Sequence, residues 1–92
     1  MKIKPEGREY ATWTVTASGT VTGLEVTFDD GATWTALAAV DATTFRVLVA
    51  GPDATTNPDG TVVLAAGRHF AMTRLTDNPE VIIRDGGTID VG

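Results

Sequence analysis

Residues 27–34, Thr-Phe-Asp-Asp-Gly-Ala-Thr-Trp, decide the fold because they join two runs in which apolar and polar side chains alternate. The candidate loop, 29–31, separates 24–28 from 32–36. A three-residue hairpin loop favours positive φ at its last position, which suits Gly31. This loop pairs Phe28 with Ala32, Val26 with Trp34 and Leu24 with Ala36. The large apolar side chains then share one face, so the sequence predicts a β-hairpin with Trp34 in the core.

The polar residues of the loop also have a structural explanation. An aspartate in a turn accepts hydrogen bonds from nearby backbone N–H groups, and Asp29 stands where it can do so. We therefore interpret Asp29, Gly31 and Trp34 as a structural hairpin. The carboxylates of Asp29 and Asp30 are adjacent in a turn and point apart, which disfavours an acid–base pair.

Length and composition predict one small domain. The chain has 92 residues and no cysteine, so it depends on packing or on assembly with partners for its stability. Residues 1–9 are largely polar, and we expect them to form an N-terminal arm before a single β-sandwich domain at 10–92; a frayed arm is favoured over one that docks on an acidic neighbour. No signal peptide and no stretch of membrane-spanning length is recognisable. The sequence predicts a soluble protein that is not exported.

The charge distribution opposes binding to nucleic acid. The formal net charge is −5. Affinity for nucleic acid comes from clustered lysine and arginine side chains that neutralise phosphates. Lys2, Lys4 and Arg8 stand near the start of the chain, and the other basic residues are scattered.

The pattern of side chains predicts an all-β fold. Residues 10–17 alternate between an apolar set that includes Trp13 and a polar set rich in threonine, and 43–50 alternate in a similar way. Helix signals are nearly absent. The stretch 38–42 is too short for a stable helix and is better explained as a crossing between sheets.

The C-terminal half continues this pattern. A short strand is predicted at 61–64, a strand with mixed faces at 68–76, and a terminal strand that is interrupted by a bulge or bend at Gly86-Gly87. About seven short strands predict a two-sheet β-sandwich of immunoglobulin or fibronectin III type. A small barrel is the alternative.

Catalytic chemistry has little support in the sequence. His69 is the only histidine and Ser18 the only serine, so a catalytic triad would need a serine in a tight turn beside a strand histidine. The alternation of His69 with Ala71 and Thr73 favours a half-buried or surface strand residue. We predict that the protein is not an enzyme and needs no cofactor.

The best candidate for a metal site is the loop that contains Asp53, Asn57 and Asp59. Calcium binds several converging oxygens from a flexible loop, and these three side chains offer them. The spacing differs from that of an EF-hand, and the composition is ordinary for a solvated loop. A glycan-binding surface is the other small-ligand candidate, because Tyr10 lies on the polar face of its strand.

The stretch from Thr27 to Trp34 resembles the Asp-box hairpin of sialidase-type propellers and other β modules, which carries Thr27, Asp29, Gly31, Thr33 and Trp34 at matching positions. The motif is structural in those families. Propellers contain several copies, whereas this chain has one, so the resemblance implies a hairpin and not a hydrolase activity. Similar runs also occur in immunoglobulin-like domains, including the dimerisation domain of sulfite-oxidase-type enzymes.

The end of the chain, residues 73–89, is similar together with the hairpin to small immunoglobulin-like proteins of tailed bacteriophages, especially those that infect actinobacteria. This resemblance implies a virion protein that is assembled in the host cytoplasm, as capsid decoration or at the head–tail junction. Its expected partners are the major capsid protein or neck and tail proteins, and a homo-oligomer is compatible with the same role. Binding to a host-surface glycan is the alternative function.

Overall fold

The structure is a computed structural model that describes residues 1–15, 23–77 and 80–92. The all-β prediction is confirmed, because these residues contain strands, turns and loops without a helix. The strands are β1 Lys2–Ile3, β2 Arg8–Thr14, β3 Leu24–Thr27, β4 Thr35–Ala36, β5 Ala38–Ala39, β6 Thr44–Ala50, β7 Val62–Val63, β8 Gly67–Asp77 and β9 Glu80–Val91. The described part thus has more strands than the predicted seven or so, and the additional β1 and β5 are two residues long.

The strands form two sheets. One has five strands in the order β1-β9-β8-β3-β4. The other is built on β6, which pairs along one edge with β2 and along the other with β5 and β7. β1 is parallel to β9, whereas the remaining pairs of the five-stranded sheet are antiparallel. This arrangement is consistent with a β-sandwich.

The segment 1–9 is not a frayed arm. Ile3 of β1 lies opposite Val91 of β9, and its side chain is buried. The backbone N–H of Gly51 donates to the carbonyl of Gly7 at 3.0 Å, which ties the segment to the loop after β6. The polar composition of the segment led to the wrong expectation, because one buried isoleucine and backbone hydrogen bonds are enough to hold a short terminal strand.

The core lies between the sheets and draws on both of them. Its buried members are Ile3, Ala11, Leu24, Val26, Leu37, Phe45, Val47, Val49, Leu64, Ala71, Ile89 and Val91. The alternation predicted for β2 is confirmed, because Ala11 is buried and Tyr10 is exposed. Trp13, a member of the apolar set of β2, packs against this core with its ring centroid 6.4 Å from that of Phe28.

The hairpin of β3 and β4 forms in a different register from the predicted one. Val26 lies opposite Thr35, not opposite Trp34, and the ladder on β3 ends at Thr27. A shift of one residue moves a side chain to the other face of the sheet. Trp34 is half-buried and lies outside the core cluster of the described residues, so the core assignment of Trp34 is wrong.

One other local prediction is confirmed and one is corrected. The chain crosses between the sheets at Leu37, between β4 and β5, and not at 38–42 as predicted, because Ala38–Ala39 already form strand β5 of the second sheet. In β9, Gly86 and Gly87 form a β-bulge opposite Ala71, where the pairing with β8 shifts by one residue. Gly87 has a φ of 87°, a conformation that glycine adopts without strain.

The bulge also receives the indole of Trp13 from the opposite sheet. Trp13 Nε1 donates a hydrogen bond to the carbonyl of Gly86 at 2.9 Å. A Cβ at Gly86 would lie 2.9 Å from the same nitrogen, so a side chain there would displace the indole. One polar contact therefore joins the two sheets within a largely apolar core.

Candidate functional site

One side of the five-stranded sheet points away from the core. Successive strand residues point to opposite faces, and residues directly opposite each other on neighbouring strands share a face. We use the term outer face for a set of side chains of this sheet that are exposed or half-buried and share a face with the even-numbered residues of β8, and its members are Glu25, Arg68, Phe70, Met72, Arg74, Ile83, Asp85, Thr88 and Asp90.

Large apolar side chains project from the outer face. Phe70 is 67% exposed and Ile83 is 55% exposed. Met72 is half-buried and follows Phe70 on this face of β8, and the next residue on the face, Arg74, lies opposite Ile83. Single exposed apolar residues are common on protein surfaces, whereas several on one flat face indicate a surface for interaction.

Ion pairs flank these apolar residues. Arg68 Nε donates to Asp90 Oδ1 at 2.8 Å, and its Nη2 lies 3.3 Å from Asp90 Oδ2. The hydrogen bond from Arg68 holds the pKa of the Asp90 carboxyl below its ordinary value of 3.8. Further along the sheet, Arg74 Nη2 donates to Glu25 Oε1 at 2.9 Å. Both arginines are thus neutralised by carboxylates of the same face.

Trp34 lies beside the outer face and contacts it through Arg74. The Arg74 guanidinium carbon is 4.2 Å from the centroid of the Trp34 ring, in a cation–π arrangement. The ring also lies next to Gly31, where an added Cβ would be 3.9 Å from two ring atoms. Arg74 therefore connects the hairpin loop to Glu25 and holds this end of the outer face in place.

The loop before Trp34 is closed by side chains. Thr27 Oγ1 donates to Asp29 Oδ1 at 2.7 Å and accepts the backbone N–H of Gly31 at 3.0 Å. Asp29 Oδ1 also accepts the N–H of Thr33 at 2.8 Å, and Gly31 has a φ of 90°, as the turn prediction requires. Asp30, at a φ of 58°, is a second residue with positive φ. These bonds explain why the loop between β3 and β4 is longer than the predicted three residues. They occupy backbone groups that a tighter hairpin would pair across the two strands.

The hydrogen bonds of Asp29 set its titration. The bond from the Thr27 hydroxyl, followed by that from the Thr33 backbone, lowers the pKa of the Asp29 carboxyl from its ordinary value of 3.8. A carboxylate that accepts several hydrogen bonds is stabilised in its charged form. Asp29 is therefore a charged acceptor within the turn, which suits the structural role assigned to it.

The loop proposed for calcium has the following geometry. Asp53 and Asp59 are exposed, whereas Asn57 is half-buried. Asn57 Nδ2 lies 3.5 Å from the carbonyl of Ala54, and its Oδ1 is buried without a hydrogen-bond partner. Within residues 1–15, 23–77 and 80–92, no three His, Cys, Asp or Glu side chains form a group that could hold a metal ion. Calcium binding here stays a prediction from sequence.

His69 occupies a structural position in β8. The side chain is half-buried, and its Nε2 lies 2.7 Å from the carbonyl of Ala65. A carbonyl only accepts hydrogen bonds, so Nε2 is the protonated nitrogen in this contact. Ser18, its proposed partner in a triad, lies outside the described residues.

The outer face was missing from the candidate sites predicted from sequence. β8 carries apolar side chains at odd positions such as Ala71 and also at even positions such as Phe70 and Met72. Alternation alone therefore does not indicate which set faces the core. The sequence does contain one indication: Phe70 and Met72 are preceded by Arg68 and followed by Arg74 at even-numbered positions. These four residues share one face of the strand, and charged residues indicate that this face is exposed to solvent.

Comparisons with known proteins place the chain in no family: no family model, no curated protein and no solved structure matches it. The part of the chain that the structure describes contains no helix of the length and apolarity needed to cross a membrane.

Proposed function

We propose that this protein is a non-enzymatic component of a bacteriophage virion that binds a capsid, neck or tail subunit through the outer face. The observation that carries the binding role is the exposure of Phe70 and Ile83 on one sheet surface whose two arginines are each engaged by a carboxylate. The virion context rests on the sequence resemblance to immunoglobulin-like phage proteins.

The strand order supports an immunoglobulin-type sandwich as the finer description of the fold. In that fold, strands B, E and D form one sheet, and C, F and G form the other, to which variable-type domains add C′. The order β2-β6-β5 corresponds to the first set, and β9-β8-β3-β4 corresponds to the second, extended by C′. The proposed outer face then belongs to the sheet of strands G, F, C and C′.

The charges of the outer face favour a protein as the partner. Arg68 and Arg74 are each engaged by a carboxylate within hydrogen-bonding distance, so their charge is not available to a polyanion. Phe70 and Ile83 offer apolar area that a partner with a matching apolar patch would remove from water. The outer face therefore fits a protein subunit whose contact surface is largely uncharged.

Purified particles provide the test. Mass spectrometry should detect the protein in virions, and its absence from them would refute the virion role. Phe70→Ser and Ile83→Ser should each reduce incorporation by about tenfold or more, as expected for apolar residues at the centre of an interface. Val63→Ser is the matched control, because Val63 is similarly exposed, at 53%, on the other sheet. Equal incorporation of all three variants would exclude the outer face as the binding surface.

Glycan binding remains the second candidate, and Tyr10 favours it. This side chain is 52% exposed and therefore accessible to a sugar, and the Arg46 guanidinium carbon lies 3.9 Å from its ring centroid. Retention on host cell-wall polysaccharide that Tyr10→Ala abolishes would support this function. Retention that is unaffected by Tyr10→Ala would argue against Tyr10 as the binding residue.

A further inference from the structure

The outer edge of β2 is a long strand edge without a partner among the described strands. β2 has seven residues and is terminal in the order β2-β6-β5. The edge strands of the other sheet, β1 and β4, have two residues each. The sequence of β2, Arg-Glu-Tyr-Ala-Thr-Trp-Thr, contains no proline, glycine or lysine that would obstruct pairing.

The hydrogen-bond pattern shows which backbone groups this edge offers. The N–H of Gly51 donates to Gly7 O, and the N–H of Val15 donates to Thr43 O, so odd-numbered residues of this segment bond to β6. Hydrogen-bonded and non-bonded positions alternate along an antiparallel pair. The even-numbered residues of β2, from 8 to 14, therefore direct their N–H and C=O groups away from β6.

The surface beside this edge is open. A hollow runs along it, lined by Met1, residues 10–13 of β2 and residues 86–89 of β9. Tyr10 and Thr12, whose backbone groups point outward, also have exposed side chains. A further strand can approach here without displacing a core residue.

We propose that this edge pairs antiparallel with the same edge of a second copy, with Ala11 of each copy on the two-fold axis. The four outward-pointing residues of one copy then meet those of the other: Arg8 with Thr14 and Tyr10 with Thr12, each twice. All four are hydrogen-bonded positions in this register, so every outward N–H and C=O of β2 gains a partner. The two β6-containing sheets become one continuous sheet.

The distribution of side chains on β2 fits a second copy. Its charged residues, Arg8 and Glu9, both lie at the start of the strand. Antiparallel pairing places these two charged ends at opposite ends of the dimer, so that no like charges face each other. At the axis, Ala11 meets Ala11, which lets the two backbones approach closely. Self-complementarity of this kind is what a two-fold symmetric interface requires.

This interface is independent of the outer face. β2 belongs to the sheet of β6, whereas the outer face belongs to the five-stranded sheet, so a dimer of this kind leaves Phe70 and Ile83 exposed. The dimer would thus present two outer faces to a larger assembly. Failure of the dimer would not affect the proposed binding through the outer face.

Disulfide trapping tests the register directly, because the chain has no cysteine of its own. Tyr10→Cys and Thr12→Cys are prepared separately, mixed and oxidised. In the proposed register these positions lie opposite each other, at about 5.5 Å between Cα atoms, within the range for a disulfide. Identical positions are offset by two residues and lie more than about 8 Å apart. We expect the mixed disulfide to exceed both homodisulfides by at least about fivefold, compared with the twofold excess of random pairing.

A mixture of Thr12→Cys with Thr14→Cys is the control, since these positions lie about 13 Å apart in the same register. Equal yields in the two mixtures would overturn the proposal. Sedimentation equilibrium of the unmodified protein should give twice the monomer mass, and a monomer at all accessible concentrations would also overturn it.

The variant Thr12→Pro provides a second test. The backbone N–H of Thr12 points away from β6, so proline at this position removes no hydrogen bond within the monomer but obstructs a strand that pairs at this edge. This variant should be monomeric with a melting temperature close to that of Thr12→Ala. A dimeric and folded Thr12→Pro variant would place the interface elsewhere, and a misfolded one leaves the decision to the disulfide experiment.

Discussion

Gly51→Ala tests whether the N-terminal segment is packed as an integral part of the fold. A Cβ at Gly51 would overlap the carbonyl oxygen of Pro5, and it would lie 2.6 Å from the carbonyl carbon of Pro5 and 2.7 Å from the carbonyl oxygen of Lys4. Ordinary contacts of this kind lie at 3.4–4 Å. These are backbone atoms with no rotamer to change, so the segment has to move away by nearly an ångström.

The cost of this movement follows from the contacts that it breaks. Two backbone hydrogen bonds, from Gly51 N–H to Gly7 O at 3.0 Å and from Asp53 N–H to Pro5 O at 2.9 Å, are lost or weakened. Each contributes about 1 kcal/mol, and partial exposure of Ile3 adds about 1–2 kcal/mol. The lower entropy of the unfolded alanine variant returns about 0.4–1 kcal/mol. We expect a net loss of about 2–4 kcal/mol in the free energy of unfolding, or at least about 10 °C in Tm.

Urea denaturation followed by tryptophan fluorescence measures this loss. Gly23→Ala is the matched control, because a Cβ at Gly23 meets nothing within 4 Å and its φ is not positive. That variant should stay within about 0.5 kcal/mol of the unmodified protein or be slightly more stable. If Gly51→Ala and Gly23→Ala unfold at the same urea concentration, residues 1–9 do not pack against Gly51, and the frayed arm expected from their composition is correct.

Further predictions concern the hairpin loop and its contacts. Trp34→Ala should cost about 1–2 kcal/mol, because an exposed cation–π contact with Arg74 and partial burial are lost, whereas Trp13→Ala should cost about 3–5 kcal/mol as a truncation in the core. Thermal denaturation compares the two variants, and equal losses of stability would indicate that Trp34 is a core residue. Asp29→Asn should lower stability at neutral pH, where the carboxylate is charged and accepts the hydrogen bonds of the turn. Because the folded pKa of Asp29 lies below its ordinary 3.8, this contribution is present above 3.8 and disappears as the pH falls through the folded value. The difference between Asp29→Asn and the unmodified protein should therefore shrink in acid, and a difference that is constant with pH would contradict this origin.

The fold was largely predictable because its strands obey simple rules. In β2 and β6 one parity is apolar and the other polar, so burial of Ala11 and Phe45 followed from alternation. The bulge at Gly86-Gly87 followed from two adjacent glycines within the predicted terminal strand. The hairpin register did not, because turn preference and the alternation of apolar residues both favoured a three-residue loop, and the register in the structure differs by one residue. The hydroxyl of Thr27 competes for the backbone of that loop, and this competition becomes apparent only when its distances to Asp29 and Gly31 are known.

The candidate site was harder to predict from the sequence for a related reason. An exposed apolar residue and a buried one look the same in a strand whose two faces both contain apolar side chains. The pairing of β8 with β3 places Phe70 on the outside directly, because Leu24 and Val26 identify the odd-numbered residues of β8 as the buried set. The edge of β2 likewise required the topology, since the sequence does not indicate which strand is terminal in its sheet.

The hydrogen bond from Trp13 to Gly86 has a consequence for how the chain finds its native alignment. Apolar side chains between two layers attract each other without direction, so this attraction by itself does not select one alignment of the layers. A hydrogen bond of 2.9 Å between residues 73 positions apart is directional and favours one alignment. The extra residue of a bulge is released from the ladder, which makes a carbonyl available to the indole. A chain in which β9 had slipped by one position against β8 would present the wrong carbonyl, so the indole distinguishes the correct assembly from its nearest misaligned competitor.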